Sequence, residues 1–185
     1  MKLSILIPTL KERSAVLSKL LDTIYSQIAF GGQRGNVQVL LDDRDKSVPT
    51  GTKRNELIQK ATGEYIVFID DDDKITATYI TDIIEALEKN PDVVTFNGYM
   101  TTNGGNPKPF VIRLGEGYEE RGSTYYRYPN HLCPMKKSLI QGVKFPDKTY
   151  GEDFAWATKI RDMGLLKKEI VIDKSMYIYQ FRTNK

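Results

Sequence analysis

Four consecutive aspartates, Asp70–Asp73, directly follow the apolar segment Tyr65–Ile69. Carboxylates this close together repel one another unless a cation offsets their charge or they take up protons. Their oxygens are hard ligands that suit Mg²⁺ or Mn²⁺, and Mg²⁺ usually takes only one or two carboxylates while water and substrate phosphate complete its coordination. The run therefore indicates a metal and diphosphate site, with a solvated acidic turn as the alternative.

A second acidic pair, Glu152 and Asp153, opens the segment Glu152–Met163, whose apolar spacing predicts a helix. Acidic side chains at a helix N-terminus cap the helix and complement its dipole. A carboxylate in this position can also serve as the general base that removes a proton from an acceptor hydroxyl group. The two roles are compatible with each other.

Four further residues are candidates for contact with an acceptor or a phosphate group: His131, Tyr126, Arg127 and Trp156. His131 lies near Cys133, but alternate residues of an extended segment are too far apart for a direct hydrogen bond, which disfavours a nucleophilic pair. Aromatic faces stack on sugars or bases and arginine binds phosphate, so the tyrosine-rich segment around Arg127 is a predicted acceptor surface. A structural histidine and ordinary strand packing of the tyrosines are the alternatives.

Apolar runs and helical spacing alternate through the first half of the chain. The runs predicted as buried strands are Leu3–Ile7, Val37–Leu41, Tyr65–Ile69 and Val93–Phe96. Helical patterns lie between them, the first after a predicted cap at Ser14. Such alternation predicts an α/β fold with right-handed crossovers and a mostly parallel sheet, whose ligand crevice lies beyond the carboxyl ends of the strands. Thr9, Asp42 and the aspartate run are therefore expected to meet at one edge of the sheet.

The second half of the chain has a weaker pattern. Glycines and prolines interrupt it between Gly98 and about Pro129, where we expect strands and loops. Gly164 is predicted to cap the helix that carries the second acidic pair. Two further strands are expected at Ile170–Ile172 and Tyr177–Phe181.

Composition narrows the class of protein. The 185 residues are enough for one well-buried domain and few for two. The 27 basic and 24 acidic residues give a formal net charge of +3, which permits an anionic ligand without demanding nucleic acid. The single cysteine excludes an intramolecular disulfide and a cysteine-based zinc site. Because the sequence has neither a membrane-spanning apolar run nor a signal peptide, a cytoplasmic location is expected.

Several common phosphate and calcium motifs are absent. The sequence contains no Walker A loop, no GxGxxG and no EF-hand spacing around its aspartates. P-loop phosphotransfer and dinucleotide-dependent redox chemistry therefore have no motif support.

Together these motifs resemble the family 2 glycosyltransferases of GT-A fold, over nearly the whole chain. The strongest match is Lys53–Asn55 followed by Ala61–Asp73, which is similar to the family signature RN…A.GEYI.FLD.DD. The other segments that resemble the family are Ser4–Thr9, Val37–Asp43, Glu152-Asp153 followed by Arg161 and Gly164, and the closing segment Tyr179–Asn184.

The resemblance implies a GT-A, Rossmann-like α/β fold in which helices flank a mostly parallel central sheet and a smaller β region lies on the acceptor side. It implies one catalytic domain over residues 1–185, with a nucleotide-sugar-binding half at about 1–97 and an acceptor-binding half at about 98–185. Leu10-Lys11 stand where the family commonly has an aromatic residue followed by Asn, and Arg44-Asp45 replace Gly-Ser. These departures predict an atypical nucleotide pocket.

The resemblance also implies roles for individual residues. The implied donor-binding residues are Pro8, Thr9, Asp42, Arg54, Asp70 and Asp71. Among them, Asp42 would bind the nucleobase and Asp70 would approach the ribose. Asp72, together with Asp70, would bind the Mn²⁺ or Mg²⁺ that bridges the donor diphosphate. Asp153 would be the catalytic base, and Glu152 would support the base or the acceptor.

These roles predict a metal-dependent inverting glycosyltransferase, which moves a sugar from a nucleotide-diphosphate donor, expected to be UDP-linked, to a hydroxyl group of a saccharide. A modified base in DNA is an alternative acceptor, suggested by the positive net charge and the tyrosine–arginine segment. Two other classes stay open: a noncatalytic nucleotide-sugar-binding protein and a metal-dependent nucleotidyltransferase. The sequence gives no indication of the oligomeric state.

Overall fold

The sheet is organised around strand β1 (Leu3–Pro8), which is buried along its whole length. In the computed structural model, which describes residues 1–183, β2 (Val37–Asp42) and β3 (Tyr65–Phe68) pair with β1 on either side, both in parallel. A strand enclosed in this way is expected to be a nearly continuous apolar run. The polar exception, Ser4, donates a hydrogen bond to Gln38 Oε1 at 2.7 Å.

Beyond β3 the sheet continues through the short strand β9 (Met135–Lys136). Because β9 is antiparallel both to β3 and to β5 (Val93–Thr102), β3 and β5 run in the same direction. The long strand β10 (Glu169–Phe181) pairs with β5 in parallel. The protein thus has the mixed α/β architecture with a mostly parallel central sheet that the sequence predicts.

A smaller β region extends the sheet beyond β5. It contains β6 (Gly105–Ile112), β7 (Glu119–Arg121) and β8 (Thr124–Arg127), and the strand order is β2-β1-β3-β9-β5-β6-β8-β7. The two-residue strand β4 (Lys74–Ile75), which follows the aspartate run, is antiparallel to β10. Strands and loops therefore occupy the segment between residues 98 and 129, as predicted.

Helices flank the sheet. Their bounds are α1 (Ser14–Phe30), α2 (Thr50–Lys60), α3 (Tyr79–Leu87), α4 (Lys137–Ile140) and α5 (Glu152–Asp162). Helix α1 packs against α3, whereas α2 packs against β1 and β2 and contacts α5. Arg13, rather than Ser14, is the N-cap residue of α1, and no side chain caps this helix. None of the helices described over residues 1–183 is both long and apolar enough to cross a membrane.

The expected strands Ile170–Ile172 and Tyr177–Phe181 form one strand, β10, instead of two. Its pairing with β5 shifts register around Asp173 and Lys174. Such a bulge lets a strand continue although its apolar alternation is broken. The polar residues at the bulge therefore make one strand look like two in the sequence. Asn184, which completes the closing segment of the sequence motif, lies outside the described residues.

The loop between α2 and β3 passes against the backbone of β1 at Gly63. Gly63 N donates a hydrogen bond to Ser4 Oγ at 2.9 Å. A Cβ atom at position 63 would lie 2.6 Å from Ser4 N, closer than side chains normally approach a backbone atom. This position therefore requires glycine for close packing.

Gly63→Ala is expected to lower the free energy of unfolding by about 2 kcal/mol, because the backbone of β1 must move to admit the methyl group. Urea unfolding followed by circular dichroism measures this change. Gly35→Ala is the matched control, since a Cβ atom there meets nothing within 4 Å. Equal losses of stability in the two variants would contradict the close-packing explanation.

Candidate functional site

The carboxyl ends of β1, β2 and β3 meet at one edge of the sheet. Thr9, just after β1, donates its backbone N–H to Asp42 O at 2.8 Å. Its hydroxyl donates to Asp71 Oδ2 at 2.5 Å. Thr9 therefore links the end of β2 to the aspartate run after β3, and the predicted convergence of these three groups is observed.

Asp70 is held by the buried side chain of Arg54. Arg54 Nη2 lies 2.8 Å from Asp70 Oδ1, and Arg54 Nε lies 3.3 Å from Glu152 Oε1. The guanidinium also covers the ring of Phe68, with its Cζ 4.8 Å from the ring centroid. Burial is the largest influence and opposes ionisation of Asp70, but Arg54 and the nearby His131 together outweigh it and hold the pKa of Asp70 far below its usual value.

Asp71 and Asp72 share a different arginine, Arg13. Arg13 Nη1 lies 3.0 Å from Asp71 Oδ1, and Arg13 Nη2 lies 2.7 Å from Asp72 Oδ2. Both aspartates are buried, and burial raises the pKa of Asp71, although the hydrogen bond from Thr9 and the charge of Arg13 act against this shift. The sequence pattern does not identify Arg13, because its side chain reaches these acids from about 60 positions earlier in the chain.

Asp73 has a structural role. Its carboxylate accepts hydrogen bonds from the Tyr177 hydroxyl at 2.8 Å and from Gln180 N at 2.7 Å. Burial, followed by the nearby charge of Asp70, raises the pKa of Asp73 well above its usual value. Asp73 thus anchors β10 to the aspartate run.

The crowding of the four aspartates is offset within the protein, by Arg54 and Arg13 and by the anchoring of Asp73. Crowding alone therefore does not require a metal ion, in contrast to the argument from sequence. The site nevertheless fits a divalent cation, because carboxylate oxygens of Asp71 and Asp72 already converge on one cationic group. Asp70 points instead toward Arg54. Within residues 1–183, no cluster of three or more potential ligand side chains surrounds a single metal position.

The predicted nucleobase-binding residue, Asp42, is engaged by Arg44. Arg44 Nε lies 2.9 Å from Asp42 Oδ1 and Nη2 lies 2.5 Å from Oδ2, which lowers the pKa of Asp42. Lys53 is buried nearby and donates to the carbonyl oxygens of Thr9 (2.7 Å) and Arg44. Lys53 therefore fixes the loop after β2 to the end of β1.

A pocket of about 260 Å³ opens beside Asp70 and Asp153. Its lining residues come from the aspartate run, β5, the smaller β region with the loop between β6 and β7, the 130–132 segment, α5 and β10: Asp70, Met100, Phe110, Ile112, Tyr118, Tyr125, Arg127, Asn130, His131, Leu132, Asp153 and Tyr179. The first aspartate of the run and the acid at the start of α5 thus face the same space.

His131 lies between these two acids. His131 Nε2 is 3.5 Å from Asp70 Oδ2, and Nδ1 is 3.7 Å from Asp153 Oδ2. The imidazole is buried, and neither ring nitrogen has a hydrogen-bond partner among the residues that the structure describes. The Asp153 side chain is 34% exposed, so its carboxylate is accessible to a molecule in the pocket. Glu152, in contrast, is buried against Arg54.

The wall of the pocket contains a stacked arginine. Arg127 Cζ lies 4.4 Å from the ring centroid of Tyr118 and 4.7 Å from that of Tyr125. Tyr126 instead stacks on Arg121, at 3.7 Å, and does not line the pocket. Successive strand residues point to opposite faces of a sheet. Tyr125 therefore lines the pocket, instead of the predicted acceptor contact Tyr126.

Trp156 is part of the core and does not reach the pocket, contrary to its predicted role as an acceptor contact. Its ring stacks on Phe145 with centroids 4.4 Å apart, and its Nε1 donates to Val143 O at 2.9 Å. The indole thus has both an apolar partner and a partner for its polar atom, which explains its burial.

A family model described as Glycosyl transferase family 2 matches residues 33–145. This segment includes the end of β2, the aspartate run and the 130–132 segment. It covers more than half of the chain.

Two kinds of relatives were found. A curated Campylobacter jejuni protein named GalNAc(5)-diNAcBac-PP-undecaprenol beta-1,3-glucosyltransferase is 24% identical over 152 residues, which are 78% of this chain and 46% of that protein. The chain thus spans about half the length of this curated relative. Among solved structures, S. aureus TarS 1-349 in complex with UDP-GlcNAc superposes with a TM-score of 0.68 at 17% identity, over 100% of this chain and 60% of TarS 1-349. The complex of TarS 1-349 with UDP superposes with a TM-score of 0.66 at 17% identity, over 97% of this chain and 60% of that chain.

Asp70→Asn is expected to lower the free energy of unfolding at pH 7 by about 2 kcal/mol, because Arg54 loses a charged partner. The pKa of Asp70 is lowered by folding, so its contribution is present above pH 4 and is lost as the pH falls below the unfolded value of 3.8. The difference in free energy of unfolding between the wild type and Asp70→Asn should therefore be about 1 kcal/mol smaller at pH 3 than at pH 7.

Urea unfolding of both proteins at the two pH values measures this change. The exposed residue Asp43 provides the control, since the stability of Asp43→Asn should stay close to that of the wild type at both pH values. A difference for Asp70→Asn that does not depend on pH would contradict the assigned ion pair.

Proposed function

Because this chain belongs to glycosyl transferase family 2, we propose that it transfers a sugar from a nucleotide-diphosphate donor to a hydroxyl group of a saccharide. One observation carries the proposal: Asp153 and Asp70 line the same pocket, with His131 between them. An accessible carboxylate beside the predicted donor site is what proton removal from an incoming hydroxyl requires.

The donor binds along the edge where β1, β2 and β3 end. Pro8 and Thr9 line the nucleoside position, Asp42 contacts the base and Asp70 faces the ribose. Arg54 keeps Asp70 ionised and in place, which supports its assignment to the donor site. The TarS structures contain UDP-GlcNAc or UDP, and this supports a uridine donor for the present protein.

A Mn²⁺ or Mg²⁺ ion, when bound, would offset the charge of the departing nucleoside diphosphate. Asp72 would hold it, and the contacts of Arg13 favour Asp71 over Asp70 as its second carboxylate. Asp70 keeps its pairing with Arg54 in this assignment.

Asp153 removes the proton from the acceptor hydroxyl as that oxygen forms a bond to the anomeric carbon and the bond to the diphosphate oxygen breaks. This direct displacement inverts the anomeric centre. Glu152 does not contact the acceptor but pairs with Arg54, and so positions the start of α5. The proton ends on Asp153 and the electron pair of the broken bond leaves with the diphosphate.

The acceptor occupies the aromatic side of the pocket. Tyr118 and Tyr125 line this side with aromatic surface, and about 260 Å³ suits a saccharide unit better than a macromolecule. Arg127 is held between these rings, so the segment that suggested a DNA acceptor is better explained as a pocket wall. Residues of about 1–97 then form the donor half, and those after them form most of the acceptor half.

Calorimetric titration of a panel of nucleotide sugars, with and without Mn²⁺, tests the proposal. Metal-dependent binding of one donor, with release of the nucleoside diphosphate on addition of an acceptor, is the expected result. Binding without any turnover would favour a noncatalytic nucleotide-sugar-binding protein, and release of pyrophosphate would favour a nucleotidyltransferase. Failure of every donor to bind would overturn the proposed function.

Asp153→Asn is expected to reduce the transfer rate at least a hundredfold, which is the usual contribution of a general base. Donor affinity should change little, because Asp153 lies on the acceptor side of the pocket. Initial rates and donor titrations measure the two effects. Asp162→Asn, on the same helix but exposed at its far end, is the matched control. Unchanged transfer by Asp153→Asn would exclude Asp153 as the base.

Tyr125→Leu is expected to raise the acceptor KM about fivefold, corresponding to the loss of one aromatic contact with the sugar of about 1 kcal/mol. The donor KM should stay within twofold of the wild type. Tyr126→Leu is the control, because its ring lies next to Tyr125 in sequence but outside the pocket. Equal acceptor KM values for the two variants would contradict the assignment of this wall to the acceptor.

A further inference from the structure

We propose that Arg13, which pairs with Asp71 and Asp72, occupies the cation position of the donor site and moves to the donor diphosphate when a metal ion binds. This inference rests on the proposed function and adds a residue to it. Arg13 ends the short turn between β1 and α1, at the edge of the sheet where the donor is placed.

The position of Arg13 relative to its two acids supports this exchange. Asp71 and Asp72 are almost fully buried, whereas the side chain of Arg13 is 30% exposed. Protein groups cover the inner side of the acids: the Thr9 hydroxyl donates to Asp71 Oδ2, and Gln180 Nε2 donates to the backbone carbonyl of Asp72. Arg13 therefore lies on the side from which a ligand can approach.

A divalent cation and the guanidinium compete for the same oxygens. Arg13 lies 3.0 Å from Asp71 Oδ1 and 2.7 Å from Asp72 Oδ2, and a metal ion held by this pair needs these atoms as ligands. Two positive groups cannot share the position without strong repulsion. Binding of the metal thus requires Arg13 to leave.

The displaced guanidinium can pair with the phosphate oxygens of the donor. Under the proposed function a diphosphate would bind beside the metal site, and the planar fork of arginine matches phosphate oxygens in a two-armed hydrogen bond. Because Arg13 begins on the solvent side of the acids, we expect rotation of its side chain to carry the guanidinium toward a diphosphate that binds from that side. Arg13 thereby opposes binding of the free metal and favours binding of the metal–diphosphate pair.

These opposite effects give the inference a distinctive test. Mn²⁺ alone is titrated into the wild type and Arg13→Gln, with free Mn²⁺ followed by electron paramagnetic resonance. UDP is then titrated at saturating Mn²⁺ by calorimetry. Arg13→Gln is expected to bind Mn²⁺ about tenfold more tightly and UDP about tenfold more weakly, since each step exchanges one contact between charged groups.

Two further variants complete the design. Arg34→Gln removes one positive charge from an exposed position at the opposite end of β2 and should match the wild type in both titrations. Arg13→Lys keeps the charge but loses the two-armed geometry, so its two affinities should lie between those of the wild type and Arg13→Gln. Far-UV circular dichroism and the thermal midpoint identify any variant that does not fold, and Arg13→Lys then decides the outcome.

Mn²⁺ affinity that is unchanged or weaker in Arg13→Gln would overturn the competition, and unchanged UDP affinity would overturn the transfer to the diphosphate. Failure of the proposed function gives a different result, because the wild type would then bind no nucleoside diphosphate at any Mn²⁺ concentration. The titration with Mn²⁺ alone still reports on Arg13 in that case.

Discussion

The buried guanidinium of Arg54 connects the two halves of the site. A buried arginine without anionic partners is strongly destabilising, so its position obliges Asp70 and Glu152 to stay beside it. Asp70 belongs to the turn after β3, and Glu152 is the first residue of α5. Since Asp153 follows Glu152 directly, its place in the pocket depends on an ion pair in which it takes no part.

The same principle applies farther along the edge of the sheet. Arg13 is paired with Asp71 and Asp72, and Arg44 is paired with Asp42. The acids that face the proposed donor thus have internal cationic partners. Under the proposed function, a donor and its metal would replace existing charge pairs instead of entering an uncompensated negative cleft. Selectivity then depends on how well a ligand reproduces the lost contacts, as much as on the charge of the ligand.

Much of this arrangement follows from the sequence, because strand ends and acidic residues can be located from short-range patterns. The convergence of Thr9, Asp42 and the aspartate run requires only that neighbouring strands be parallel. The fold and the family are correctly predicted for the same reason. Periodicity carries no information about where a long side chain ends, and so the contacts of Arg13 and Lys53 were not predicted.

Register and helix orientation account for the remaining differences. Whether Tyr125 or Tyr126 faces the pocket depends on the pairing of β8 with β6, which a one-residue shift would reverse. Trp156 was assigned to the acceptor by its chemistry, but its face of α5 packs on Phe145. In both cases the sequence gives the type of residue but not the direction in which its side chain points.

The anchoring of Asp73 by Tyr177 and Gln180 bears on the order in which the protein folds. These contacts join residues 104 and 107 positions apart, whereas β1, β2 and β3 associate through much shorter stretches of chain. Distant contacts carry a larger entropic cost of loop closure and tend to form late. The contacts of Asp73 would therefore form only when β10 docks, after β1, β2 and β3 have paired. Arg54 and Thr9 hold Asp70 and Asp71 without β10, so its docking would complete a turn that is already partly fixed.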